Sequence, residues 1–171
     1  MTKTKFRVIK NSEWREYRDI RLAALKEAPD AFGSTFESAR EYPDQEWEKR
    51  CAFLDIQTDY PLVAIIDGIF VGIVWSKISQ PEKTICHIYQ MWVKPEYRGL
   101  NLGRKLLIDS ISWAQSKNVE SIQLSVTCGN SPAQKLYESL GFIATGDSEP
   151  IRKGSKLMAQ PMEFLPSNVC I

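Results

Sequence analysis

Apolar positions recur along the chain with two periods, and each switch between them marks an element. Phe6 to Ile9 reads as an opening strand, and Asn11-Ser12 as the N-cap of a following helix. That helix sets Tyr17, Ile20, Ala24 and Ala28 at spacings of three and four, one face of a 3.6-residue period, and Pro29 stops it. Pro43 starts a second amphipathic helix with Trp47, Cys51 and Leu54 on one side. Asp30 to Tyr42 reads as the loop between them, and its Phe32, Phe36 and Tyr42 either pack down or line a pocket. Leu62 to Ile66 and Ile69 to Trp75 are β-rich runs separated by Asp67-Gly68, a type I′ hairpin signal. Thr84 to Val93 is a further strand, broken by Lys94-Pro95-Glu96.

After Gly99 a helical pattern runs through Leu102, Leu106, Leu107, Ile111 and Trp113, with Asn118 as its C′ stop. Val119 to Thr127 alternates as a strand with one buried face. Ser131-Pro132-Ala133-Gln134 reads as a capping box with proline at N1, opening a short helix that Gly141 ends. Phe142 to Ala144 and Lys156 to Phe164 close the chain as strands, and Pro161 marks the last as an edge or bulged strand. The order β-α-α-β-β-β-α-β-α-β-β predicts an α+β fold, layered α/β/α. Its mixed, mostly antiparallel central sheet carries helices on both faces. The parallel pair is Thr84–Val93 with Val119–Thr127, joined by a right-handed crossover. With no internal repeat or long linker, residues 1–171 read as a single domain.

Charge and composition narrow the function classes. The chain has 22 Lys+Arg against 21 Asp+Glu, a net charge of +1, so no basic excess points to nucleic acid or an anionic membrane. The longest apolar stretch, near Leu62 to Ile66, is far short of the ~20 residues a bilayer needs. The basic N-terminus has no apolar core behind it, so no signal peptide is read and the expected compartment is the cytoplasm. Cys51, Cys86, Cys128 and Cys170 form no C-x-x-C and share the chain with a single histidine. No metal site is expected, and the cysteines read as buried or half-buried free thiols.

The segment that carries chemistry runs from Val93 to Leu107. A strand ends, a turn with Gly99 and Gly103 follows, and a helix begins at once. Such a turn leaves backbone N–H groups unpaired at a positive helix end, an anion site, with Arg98, Arg104 and Lys105 adding charge around it. The alternative is an ordinary helix start with solvated arginines. It is neither a P-loop nor a dinucleotide fingerprint, since no G-K-[ST] follows and G-x-G-x-x-G is absent.

Arg98-Gly99-Leu100-Asn101-Leu102-Gly103, preceded by Met91-Trp92-Val93-Lys94-Pro95, resembles the R-x-x-G-x-G/A motif of the GNAT acetyltransferase superfamily. Asn130-Ser-Pro-Ala133-Gln-Lys-Leu136-Tyr137-Glu-Ser-Leu-Gly141-Phe142 is similar to that family's N-x-x-A-x-x-L-Y-x-x-x-G-F segment. The resemblance covers roughly residues 60 to 165 and implies the acyl-CoA N-acyltransferase fold, with a parallel pair that splays apart. It implies acetyl-CoA as co-substrate, held by Met91, Trp92, Val93, Arg98, Gly99, Leu100, Asn101, Leu102, Gly103, Arg104, Asn130, Ala133 and Tyr137. Asn101 stands where the family usually has its middle glycine; asparagine tolerates positive φ and keeps its N–H, so the turn is expected to survive.

Acetyl transfer to an amine needs a base for the ammonium, an N–H donor for the oxyanion and an acid for the departing thiolate. The resemblance implies Tyr137 as the acid, the alternative being a tyrosine packed on a helix face. His87 falls where several family members carry a catalytic glutamate and is the candidate base; the alternatives are a merely packed histidine or a water chain. Tyr89, two residues on, shares its strand face, whereas Cys86 points the other way, so Cys86 and His87 form no dyad. The oxyanion donor is expected among the N–H groups of Met91 to Val93. The acceptor is expected among Phe32, Phe36, Trp75, Tyr89 and the turn Asp147 to Gly154, with Glu37 and Glu41 as receivers of a cationic substrate. An amine acceptor and a homodimer built through the Pro161 strand are the expected partners, with neither nucleic acid nor membrane. A non-catalytic acyl-CoA sensor and a hydroxyl acyltransferase are the rival functions.

Overall fold

The computed structural model describes residues 3–166. β1 (Lys5–Val8) pairs antiparallel with β2 (Asp59–Ile66), which turns back into β3 (Ile69–Ile78). At that turn Asp67 and Gly68 have φ of +50° and +80°, the two positive angles a type I′ turn requires. β4 (Ile85–Val93) runs antiparallel to β3, and β5 (Ser121–Thr127) parallel to β4. β6 (Ile143–Ala144) and β7 (Glu149–Pro150) both lie against β8 (Met158–Phe164), which pairs with β5 on its other side. The sheet order is β1-β2-β3-β4-β5-β8-β6.

Both faces of the central strands are covered, as alternation along β2 makes plain. Leu62, Ala64 and Ile66 join the core under α4 (Leu102–Ser116) and α5 (Ser131–Ser139). Val63 and Ile65 join the core under α1 (Trp14–Glu27), α2 (Phe36–Ala39) and α3 (Asp44–Ala52), around the fully buried Trp47 and Tyr17. No described helix is long and apolar enough to cross a membrane.

Two irregularities in the middle of the sheet create the site. β4 and β5 are in register only at Ile85↔Ser121, Cys86↔Ile122 and His87↔Gln123, and beyond His87 they part. The expected splay is therefore present. The second irregularity is a bulge in β4, where the β3 register shifts and Gln90 adopts φ +57°. The extra residue re-phases the strand. Cys86 and Ile88 face α4, and after the bulge Met91 and Val93 do so, while Trp92 turns to the α1 core.

Several local expectations shift. Glu13 occupies the N-cap of α1, not Asn11-Ser12: the Asn11 amide donates to Ala52 O, and the Glu13 carboxylate is drawn to Arg7 and the Lys10 N–H. Pro43 is the N-cap of α3 rather than its first helical residue. Asn130 caps α5 in place of Ser131, accepting from the Ala133 N–H at 3.4 Å. The 30–42 loop contains a 3-10 turn at Pro29–Ala31 and then α2, which Thr35 caps. Asn118 and Gly141 do end α4 and α5, at φ +57° and +102°.

Pro161 requires the largest correction, because β8 is interior rather than an edge. Its missing N–H faces Thr145, whose own N–H donates to Pro161 O at 2.9 Å. Gln160 Nε2 supplies the absent donor, reaching Thr145 O at 3.1 Å and Gly146 O at 3.2 Å. The sheet order leaves no free edge at Pro161, the feature from which a homodimer was expected. Among the cysteines, Cys51 and Cys86 are buried free thiols that burial pushes up to about 11 and about 12, Cys128 is exposed, and Cys170 lies outside the described residues.

Candidate active site

The turn into α4 presents a row of backbone donors. Gly99 (φ +82°) and Asn101 (φ +58°) reverse the chain, and Asn101 caps α4 without using its side chain. Among the described residues, no acceptor meets the N–H groups of Gly99 through Arg104; the first of α4 to donate is Lys105, to Asn101 O at 3.0 Å. Six consecutive free N–H groups at a helix start make an anion-binding concavity. A Cβ on Gly103 would come within 2.8 Å of Met91 Cε, so the helix starts in close contact with β4.

The cations are arranged differently from the expected cluster. Arg98 Nε donates to Val93 O at 3.0 Å, and its two terminal nitrogens grip Glu27 at 3.2 and 2.8 Å. Glu27 also accepts from Trp92 Nε1 at 2.8 Å, and the Arg98 bond holds its carboxyl below the usual range. Arg98 is therefore a clamp between the turn and α1. Arg104 donates to Ser139 Oγ and Lys105 pairs with Asp109 at 2.7 Å. All three cations have protein partners, so the pull on an anion rests on the N–H row.

Behind the turn, a cavity of about 710 Å³ opens where β4 and β5 part. His87, Tyr89 and Tyr137 share its wall, with Gln123, Glu149 and Glu163 from the β5 and β8 side. Tyr137 is almost fully buried, and burial alone pushes its phenol up to about 12, so it stays protonated at neutral pH. His87 is half-buried, stacked on Tyr89 at 5.9 Å between ring centres, and desolvation lowers its pKa from 6.5. Its imidazole is therefore neutral at pH 7 and able to accept a proton. Lys94 N–H bonds to Val71 O, so strand alternation turns the Val93 N–H towards the gap. A neutral imidazole and a protonated phenol thus line one cavity, and the free donors of the turn lie next to its Met91 wall.

The GNAT acetyltransferase family model matches residues 14–142. The chain belongs to this family. Mycothiol acetyltransferase of Thermobispora bispora is 30% identical over 127 residues, covering 72% of this chain and 40% of that protein. N-acetylaspartate synthetase of Danio rerio is 33% identical over 87 residues, 51% of this chain and 29% of that protein. The chain thus spans less than half the length of these relatives. Solved structures match nearly end to end. A GNAT acetyltransferase from Streptococcus pneumoniae superposes with a TM-score of 0.81 at 22% identity, covering 95% of this chain and 99% of that one. The Salmonella typhimurium protein yncA, solved with its cofactor acetyl-CoA, gives 0.80 at 18% identity, covering 99% and 97%. These likenesses establish the acyl-CoA N-acyltransferase fold.

Within that GNAT frame, the expected residues divide. Met91 and Tyr137 line the cavity, while Gly99, Leu100, Asn101, Leu102, Gly103 and Arg104 form the donor row. The side chains of Trp92 and Leu102 belong to the two cores, so only their backbone is free for a ligand. Asn130 Oδ1 is committed to capping α5, and Ala133 packs against the α4 core. Phe32 and Tyr89 line the cavity as expected, but Trp75 does not. It faces a separate space of about 300 Å³ with Tyr17, Arg50 and Asp59, to which Tyr89 and Gln90 also contribute. Phe36 packs on the α1 core, and Glu37 and Glu41 are exposed away from the cavity. Glu149 and Ile151 of the expected turn Asp147 to Gly154 line the cavity, whereas Arg21, Glu27, Gln90 and Glu163 were not read from the sequence. Arg21 and Glu27 lie in an unremarkable helix, and the bulge at Gln90 breaks an alternation that sequence alone reads as continuous.

Proposed function

We propose that the chain is an acetyl-CoA-dependent N-acetyltransferase acting by direct attack of a primary amine in a ternary complex. The observation that carries this reading is the row of free N–H groups from Gly99 to Arg104, next to Met91 on the wall of the cavity that Tyr137 and His87 also line. The row fits the pyrophosphate of CoA, and the unpaired edge of β4 beyond His87 fits its extended arm. When bound, acetyl-CoA supplies the thioester acetyl group. His87 takes a proton from the incoming ammonium. As the C–N bond formed and the C–S bond broke, the Val93 N–H would stabilise the oxyanion, and Tyr137 would protonate the thiolate, its own proton being restored by the second one the nitrogen sheds. The Arg98–Glu27 clamp keeps the turn in register with β4. The cytoplasm is the compartment we assign, consistent with acetyl-CoA chemistry and an exposed free thiol at Cys128.

Thiol release from acetyl-CoA with a panel of amines tests the reading. Tyr137→Phe is expected to lower kcat by about 100-fold while acetyl-CoA binding changes little. A Tyr137→Phe protein with wild-type turnover removes the acid from the account. Acetyl-CoA binding without turnover on any amine supports a sensor instead.

A further inference from the structure

The acceptor side of the cavity holds a buried charge without a counter-charge. Arg21, on α1, is 7% exposed and contributes to the cavity wall. It takes part in none of the salt bridges among the described residues. Its Nη1 is fully enclosed with no hydrogen-bond partner, and the Phe32 ring covers the guanidinium at 4.6 Å from Cζ. Phe32 is fixed there: Arg152 Nη1 donates to Phe32 O at 2.9 Å, and Thr127 Oγ1 ties Asp30 O to the end of β5. Burial lowers the pKa of Arg21, Tyr17 opposes that shift and the charge of Arg50 adds to it, yet a guanidinium remains protonated at neutral pH. Burying a cation in this way is strongly unfavourable unless an anion completes it.

We propose that Arg21 receives the carboxylate of the acceptor, and that the acceptor is a small α-amino-acid-like molecule. This rests on the transferase reading above. The planar fork of a guanidinium matches a carboxylate. Arg21 is the one arginine or lysine on this wall among the described residues and balances one negative charge, whereas a phosphate dianion would also meet the acidic Glu149 and Glu163. Those carboxylates suit the other end of a zwitterion. Glu163 is half-buried and held by the Ser121 hydroxyl at 2.5 Å, and its strand neighbour Gln123 pairs with His87. The cavity wall thus carries the cation of Arg21 together with two carboxylates, and Glu163 lies one strand beyond Gln123, the partner of His87.

The test compares free L-amino acids with the matching amines that lack the carboxylate, using acetyl-CoA and wild-type protein. The best amino acid is expected to exceed its decarboxylated counterpart in kcat/KM by about 100-fold or more. In Arg21→Met that ratio is expected to collapse to near one, while the unliganded protein melts at or above the wild-type temperature because an unpaired charge has been removed. Equal or better use of decarboxylated amines overturns the proposal, as does an unchanged ratio in Arg21→Met. Failure of transfer on both panels counts against the transferase reading itself, and thermal shift then decides the acceptor class. A free amino acid that raises the melting temperature of wild type but not of Arg21→Met upholds the carboxylate site, and no shift with any amino acid overturns it.

Discussion

At the scale of single residues, burial sets the chemistry of the cleft. The same desolvation acts in opposite directions on its two titratable rings, raising the Tyr137 phenol and lowering the His87 imidazole. Each keeps the neutral form its role needs. The folded His87 titrates below 6.5, so activity that requires its neutral form is full above that value and falls as the pH drops through the lowered pKa. His87→Gln is expected to remove this acid limb from the kcat/KM profile and to lower the plateau by about 100-fold. A profile unchanged in His87→Gln assigns the proton to a water chain. Stability has the same sign. The unfolded chain takes up this proton first, so His87 destabilises the fold as the pH falls below 6.5. The sequence marked both rings as candidates, but it could not give their surroundings, because burial is a property of the packed molecule.

At the scale of elements, the Arg98–Glu27 contact couples the turn into α4 to α1. It spans 71 positions in sequence, which is why the motif arginine reads from sequence as a phosphate ligand and in the structure serves as a clamp. Both side chains are more than a third exposed, so Glu27→Gln is expected to cost under about 1 kcal/mol of unfolding free energy in urea titration. Acetyl-CoA affinity, measured by calorimetry, should weaken more, by about tenfold or ~1.4 kcal/mol, because the turn loses its anchor. A stability loss without an affinity change makes the contact purely structural. The sign of its pH dependence follows from the lowered Glu27 pKa: the contribution is complete above the ordinary 4.5 and disappears as the pH falls through the folded value. Helices and the Asp67-Gly68 hairpin were legible from periodicity and turn chemistry. The caps were off by a residue or two, since Glu13 and Asn130 won over their neighbours through contacts that only the folded chain provides.

At the scale of the whole molecule, one sheet with covered faces parts between β4 and β5 beyond His87, and the cavity occupies that gap. Strand order made the parallel pair legible, but the divergence after His87 and the bulge at Gln90 arise from sheet geometry rather than composition. Among the described residues the turn has no free cation cluster, so anion binding there is expected to rest on the N–H row. The N–H row is central, and amide-resolved NMR during an acetyl-CoA titration tests it most directly. Saturable shifts are expected, concentrated at the amides of Gly99 to Arg104 and along β4 from Ile88 to Val93. Absence of binding, or shifts that leave Gly99 to Arg104 unmoved, contradicts it.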